Sequence, residues 1–222
     1  MDSGWTSYFF WSTVAGVVGL AISAIFAGIY RMQRALFLVP YVTVVGCFLY
    51  GYVQFVHLDV GNLLSRNWLW GVITALLVGF FMVRNVLSQP GSPRSRGPRL
   101  FLDFVWFGII YGAIDALFLS VFPVLLTWQA FPELVNTTVG QAGAALLALA
   151  ASEFITLAYH AGYPEFRNFS LVQPAIGNGI ITLAYVLSRN PISAVGSHMA
   201  MHMAAVWHGP DKTIQLPPHY RK

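Results

Sequence analysis

The chain has 222 residues, enough for one domain or at most two small ones. Hydrophobic residues make up 57% and charged residues only 9%, against about 25% charged in an ordinary soluble domain. That deficit excludes a water-soluble globule, because too few charges remain to cover a surface. The net charge of +4 does not point to nucleic acid, since the basic residues lie in short links between long apolar runs and there report membrane topology. With 15% aromatics and 20 glycines, an all-α polytopic membrane protein is the class that remains.

In chain order, the first six residues carry Asp2 and no Lys or Arg, unlike the start of a cleaved signal, so the first apolar run is expected to be a retained span. Crossing a bilayer core of about 30 Å takes about 20 helical residues. Seven runs meet that demand: Phe9–Tyr30, Ala35–His57, Asn67–Leu87, Phe101–Leu126, Thr138–His160, Leu171–Ser188 and Pro191–His208. The last two are short, and tilt or irregular backbone is expected there. Cys47, the single cysteine, lies in the second run without a partner for a disulfide or a thiolate zinc site, and reads as a small core residue. Between the third and fourth runs stands Ser88–Arg99, SQPGSPRSRGPR, expected to be a mobile cytoplasmic loop that touches anionic lipid.

The links also carry an orientation test. With the N-terminus outside, the inward segments hold ten of the twelve basic residues and the outward ones only Arg66 and Arg189. This bias predicts seven spans in an inner or plasma membrane, with the N-terminus out and the C-terminus in. Residues 1–87 then form a three-helix scaffold, 88–100 a basic cytoplasmic loop, 101–208 a four-helix region with the polar groups, and 209–222 an irregular, proline-containing tail.

Ionisable side chains at membrane depth are costly and by default mark function. The first three runs carry almost none. The fourth carries Asp103 and Asp115, the fifth Glu153 and His160, and the seventh His198, His202 and, at its end, His208. Glu153 and His160 share one helix face, as do His198 and His202. Small residues around both pairs permit the two helices to approach closely. We therefore expect His160, His198 and His202 to converge, with Asp115 or Glu153 beside them, although by depth His202 matches Glu153 better than His198 matches His160. Such a set can bind a single zinc or iron ion. Without a metal, a carboxylate can activate water while imidazoles stabilise an oxyanion. Haem held by histidines of two helices is a third option, and separate interhelical hydrogen bonds are the plain alternative. Glu165 and Arg167 read as an interfacial ion pair. Asn178 and Gln173 read as bridges between helices, and Tyr159 and Tyr185 as packing residues.

Three segments of the distal half carry a resemblance. Gly112-Ala113-Ile114-Asp115-Ala116-Leu117-Phe118 is similar to an EExxxR motif, with Ile114-Asp115 in place of Glu-Glu and no arginine. Leu157-Ala158-Tyr159-His160-Ala161-Gly162 is similar to FxxxH, with Thr156 where Phe is usual. His198-Met199-Ala200-Met201-His202 is similar to HxxxN, with His202 where Asn is usual. Together they resemble the CAAX prenyl protease and bacteriocin-processing (CPBP) family of intramembrane proteases, over roughly Phe101 to His208. The resemblance implies a helical membrane fold and hydrolysis of a membrane-embedded peptide. In it Asp115 or Glu153 stands for the water-activating glutamate, and His160 and His198 for the oxyanion-stabilising histidines. The alternative is a non-catalytic accessory or cofactor-binding subunit that meets other membrane-protein subunits and lipid. A hydrolase is expected to keep a cavity open to one side, whereas an accessory subunit is expected to pack its histidines dry.

Overall fold

The structure, a computed structural model, describes residues 3–218 and 220, and among them all regular structure is helical. Lipid offers no partner for backbone N–H and C=O groups, so apolar runs of this length satisfy themselves as helices. In chain order these are α1 (Ser3–Ile22, prolonged by a π-helical stretch, Ser23–Ile29), α2 (Arg34–Phe55), the short α3 (Val60–Ser65) and α4 (Trp68–Leu87). After them come α5 (Pro98–Ala130), α6 (Thr138–Ala161), α7 (Val172–Ser188) and α8 (Ile192–His208). Six helical segments are long and apolar enough to cross a membrane, α7 among them once the turn from Phe169 that leads into it is included, and α8 has 17 residues. Leu76, Leu77 and Phe80 of α4, Leu146 of α6 and Leu187 of α7 stay exposed on the bundle's outside, which suits contact with lipid.

The expected fourth run is longer than its apolar core suggested. Pro98–Ala130 is one helical rod of 33 residues, about 50 Å at 1.5 Å per residue. Two π-helical stretches, Phe104–Ile110 and Leu117–Val121, interrupt its α-helical register on either side of Tyr111–Ala116. Such insertions are frequent at functional sites because they re-aim side chains, and Asp115 lies on the segment between them. The rod is also the most buried of the six candidate spans.

Small residues set the helix pairing. Gly16 faces Phe154, Gly19 faces Tyr159, and the hydroxyls of Tyr8 and Ser23 donate to Leu147 O (2.7 Å) and Tyr159 O (2.6 Å), so α1 runs parallel to α6. Gly71, Ala75 and Gly79 of α4 meet Asn190, Gly196 and the Ser197–Ala200 turn of α8 in the same order, so this pair is parallel too. That spacing lets two helix backbones approach closely. Asn190 fixes the start of α8: its Nδ2 donates to Leu64 O (2.8 Å) and Arg66 O (2.7 Å), and its Oδ1 accepts from Ile192 N (2.9 Å).

Three local expectations are corrected. Cys47 is exposed on the outside of α2 rather than in the core. The Arg-rich segment after α4 is docked rather than loose: Arg94 lies 3.6 Å over the Trp207 ring and donates to Trp207 O, and Ser92 N donates to His208 O. Glu165 and Arg167 do not pair. Arg167 instead donates to the free carbonyls of Ala161 and Gly162 at the end of α6, and Glu165 accepts from Tyr220.

Candidate functional site

Asp115 on α5 and the His198–His202 pair on α8 meet in the interior. All three are buried, at 3%, 3% and 1% exposure. Asp115 Oδ2 lies 3.2 Å from His198 Nε2 and 3.7 Å from His202 Nε2. The four-residue spacing stacks the two imidazoles 4.9 Å apart and 12° from parallel, so both rings present Nε2 in one direction. The other carboxylate oxygen, Oδ1, accepts from the Tyr41 hydroxyl at 2.5 Å. Tyr111 packs edge-on against His202 at 4.7 Å, and Gly112 lies against Met199 and His202, where a side chain would keep α5 and α8 apart.

A cavity of about 570 Å³ opens onto this group. His160 lines it together with Asp115, His198 and His202, which brings residues of three helices to one space. Its Nδ1 is 2.8 Å from Thr156 O, one turn earlier on α6. His160, near the end of α6, reaches the same cavity as His198, and Tyr163 and Phe166 beyond it line that cavity too. Glu153 is placed elsewhere: it does not line the cavity and packs with Oε1 against Gly179 of α7. Of the two carboxylates considered, Asp115 is the one beside the histidines. Gln173 lines the cavity. Asn178 also borders it, but its side chain is engaged by Ser120, Ser152 and Thr156 at 2.7–2.8 Å, a network that ties α5, α6 and α7 together.

Asp115, His198 and His202 can hold a metal ion. Their ligand atoms all lie within 4.8 Å of one another. Ligands on a tetrahedral ion at about 2.1 Å stand about 3.4 Å apart, close to the 3.2 and 3.7 Å found here. His202 Nε2, buried and without a hydrogen-bond partner, faces that space. Two imidazoles and one carboxylate suit zinc with an open position or non-haem iron. His160 stands outside this ligand group. The two-helix arrangement considered for haem would pair His160 of α6 with His198 or His202 of α8, whose Nε2 atoms both turn to Asp115 instead.

Several residues of the site lack a sequence signal. Tyr41 is one of ten tyrosines and sits in a helix without carboxylates or histidines, yet it contacts Asp115 directly. Tyr163 donates to Tyr159, whose hydroxyl is 3.2 Å from that of Tyr111, so these tyrosines form a buried polar wall beside the carboxylate. The expected division into a scaffold and a polar half therefore omits the part that α2 plays, as well as α4, whose Phe81, Met82 and Asn85 line the cavity. No protein-family model, no curated protein and no solved structure matches the chain.

Proposed function

We propose that the protein is an intramembrane hydrolase of the CPBP type, acting on an amide bond of a membrane-embedded peptide. The observation that carries this reading is the buried Asp115 carboxylate facing two imidazoles on the wall of a cavity inside the bundle. An accessory subunit that binds no cofactor is expected to pack its histidines dry instead.

In this reading the parts follow from the contacts around Asp115. Tyr41 occupies Oδ1 of Asp115, which leaves Oδ2 as the basic oxygen. A water held against Oδ2 transfers a proton to the carboxylate as its oxygen bonds to the carbonyl carbon. The oxyanion so formed is met by imidazole N–H groups of His198 or His202, with His160 as a further donor from α6. The C–N bond then breaks, and the proton carried by Asp115 passes to the leaving nitrogen. Positioned acid–base transfer of this kind contributes about 10²–10⁴-fold, and preorganised donors to the oxyanion a comparable factor. Zinc or iron held by Asp115, His198 and His202 would supply carbonyl polarisation and a more acidic water at the same place.

The test is cleavage of a lipid-reconstituted transmembrane peptide, followed by mass spectrometry, with metal content measured on the same sample. Asp115→Asn and His198→Ala are expected to lower the rate at least 100-fold, while Glu153→Gln stays near the parent rate. Equal cleavage by the parent and Asp115→Asn sinks the proposal. One bound ion per chain, lost in Asp115→Asn, with no cleavage by the parent, favours a metal-binding accessory subunit instead.

A further inference from the structure

The segment after α8 has no helix and is nonetheless partly buried, at Thr213, Leu216 and Pro217. Lys212 N and Thr213 N each donate to Gly209 O at 3.2 Å, and the chain then continues irregularly to Pro218. Its root is fastened, with His208 Nε2 2.7 Å from Gln89 O and Asp211 N donating to Ser92 Oγ at 3.1 Å. Further on, Leu216 is 3% exposed, Pro217 is buried, and Arg34 Nε donates to Pro217 O at 2.5 Å. Lys212 and residues 214–218 line the same cavity as Asp115, His198 and His202.

The fit is close but incompletely satisfied. Thr213 Oγ1 and Gln215 Oε1 are buried without partners, a desolvation cost that release into water relieves. Pro217 and Pro218 lack backbone donors, so the extended segment needs no ladder of hydrogen bonds to stay in place. Between its root and the Tyr220–Glu165 contact, it is held by the aliphatic side chains of Ile214 and Leu216 and by the Arg34 guanidinium on a main-chain carbonyl. The segment contributes only aliphatic side chains and a main-chain carbonyl to these contacts, which an extended peptide with an aliphatic residue at the same place can also supply.

We propose that residues 213–218 are a displaceable plug, a peptide segment bound in cis at the mouth of the cavity, and that an extended peptide arriving from the same face binds by exchanging with it. The inference rests on the cavity of the hydrolase reading and specifies how that cavity is reached. The ligand class is an extended peptide with an aliphatic residue followed by a carbonyl within reach of Arg34.

The experiment uses the full-length protein in detergent, with Cys47→Ser to remove the exposed thiol and Met201→Cys as a reporter on the cavity wall. The readout is the rate of labelling by a charged methanethiosulfonate reagent. Adding Leu216→Asp is expected to raise the rate at least tenfold, and a synthetic peptide of residues 211–222 is expected to slow it again, whereas a scrambled peptide does not. Arg34→Met, which removes the donor to Pro217 and keeps the stem length, is expected to act in the same direction and decides the matter if Leu216→Asp does not fold. Unchanged labelling in the folded variants, or a raised rate that the native peptide does not slow, overturns the plug. Labelling requires no turnover, so a gated but inactive protein refutes the hydrolase and leaves the plug standing.

Discussion

Asp115 has two carboxylate oxygens with different partners: Oδ1 accepts from Tyr41, and Oδ2 faces His198 and His202. Tyr41 thereby acts as a positioning residue, because it selects which oxygen meets the imidazoles. Tyr41→Phe keeps the ring and its packing and removes only the hydroxyl. A hydrogen bond to a charged group is worth about 1.5–3 kcal/mol, so the variant is expected to lose about that much stability. It is also expected to lose affinity for zinc or iron, or cleavage rate, by about 10-fold or more, since outer partners of this kind carry 10–100-fold. Calorimetry and metal titration on the purified variant check both, and unchanged values in both would remove Tyr41 from the site. The legibility of the site follows from cost. Asp115, His198, His202 and His160 stand out because ionisable groups are expensive in a membrane. Glu153 stands out for the same reason, and only the packing of α6 on α7 separates it from them. Tyr41 carries no such cost, since a tyrosine reads equally well as packing.

At the scale of elements, α8 is held to α4 by close approach rather than by side-chain interdigitation. A methyl at Gly71 would stand 2.7 Å from Asn190 Oδ1, and Asn190 cannot yield because three main-chain groups hold it. Gly71→Val is therefore expected to destabilise by about 1–3 kcal/mol, the range for overpacking. Gly46→Val on α2 meets open space and is expected to stay within about 0.5 kcal/mol. Thermal unfolding in one detergent compares them, and equal midpoints would refute the tight α4–α8 seam. Hydropathy alone located the helices, because a run that must satisfy its own backbone has few alternatives. It could not locate the π-helical stretches in α5, which change the hydrogen-bond register without altering composition. Nor could it show that the Arg-rich segment and the proline-rich tail are docked, since both look like solvated linkers by composition and are held by contacts to α8 and Arg34.

For the whole molecule, the question is how many times the chain crosses. At 17 residues α8 reaches only about 26 Å, short of a bilayer core of about 30 Å. Its partner answers for it: α4 is long enough to span, and α8 lies alongside it in the same direction, from Asn190 beside Gly71 to His208 beside Gln89. Two parallel neighbours joined through α5, α6 and α7 require three crossings between them, so α8 completes a seventh. Trp128 against Tyr185 marks one end of the bundle, where α5 finishes and α7 finishes. Arg34 on Pro217 and Arg94 on Trp207 mark the other, which gathers most of the basic residues. An odd count puts the termini on opposite sides, and the basic end is expected to face the cytoplasm. A reporter fused after Lys222 that is active only in the cytoplasm, paired with one before Met1 that is active only outside, is the expected outcome. The same activity pattern at both termini would mean that α8 does not cross. Reversed activities would leave the seven crossings intact and place the tail, with the mouth of the cavity, on the outer face.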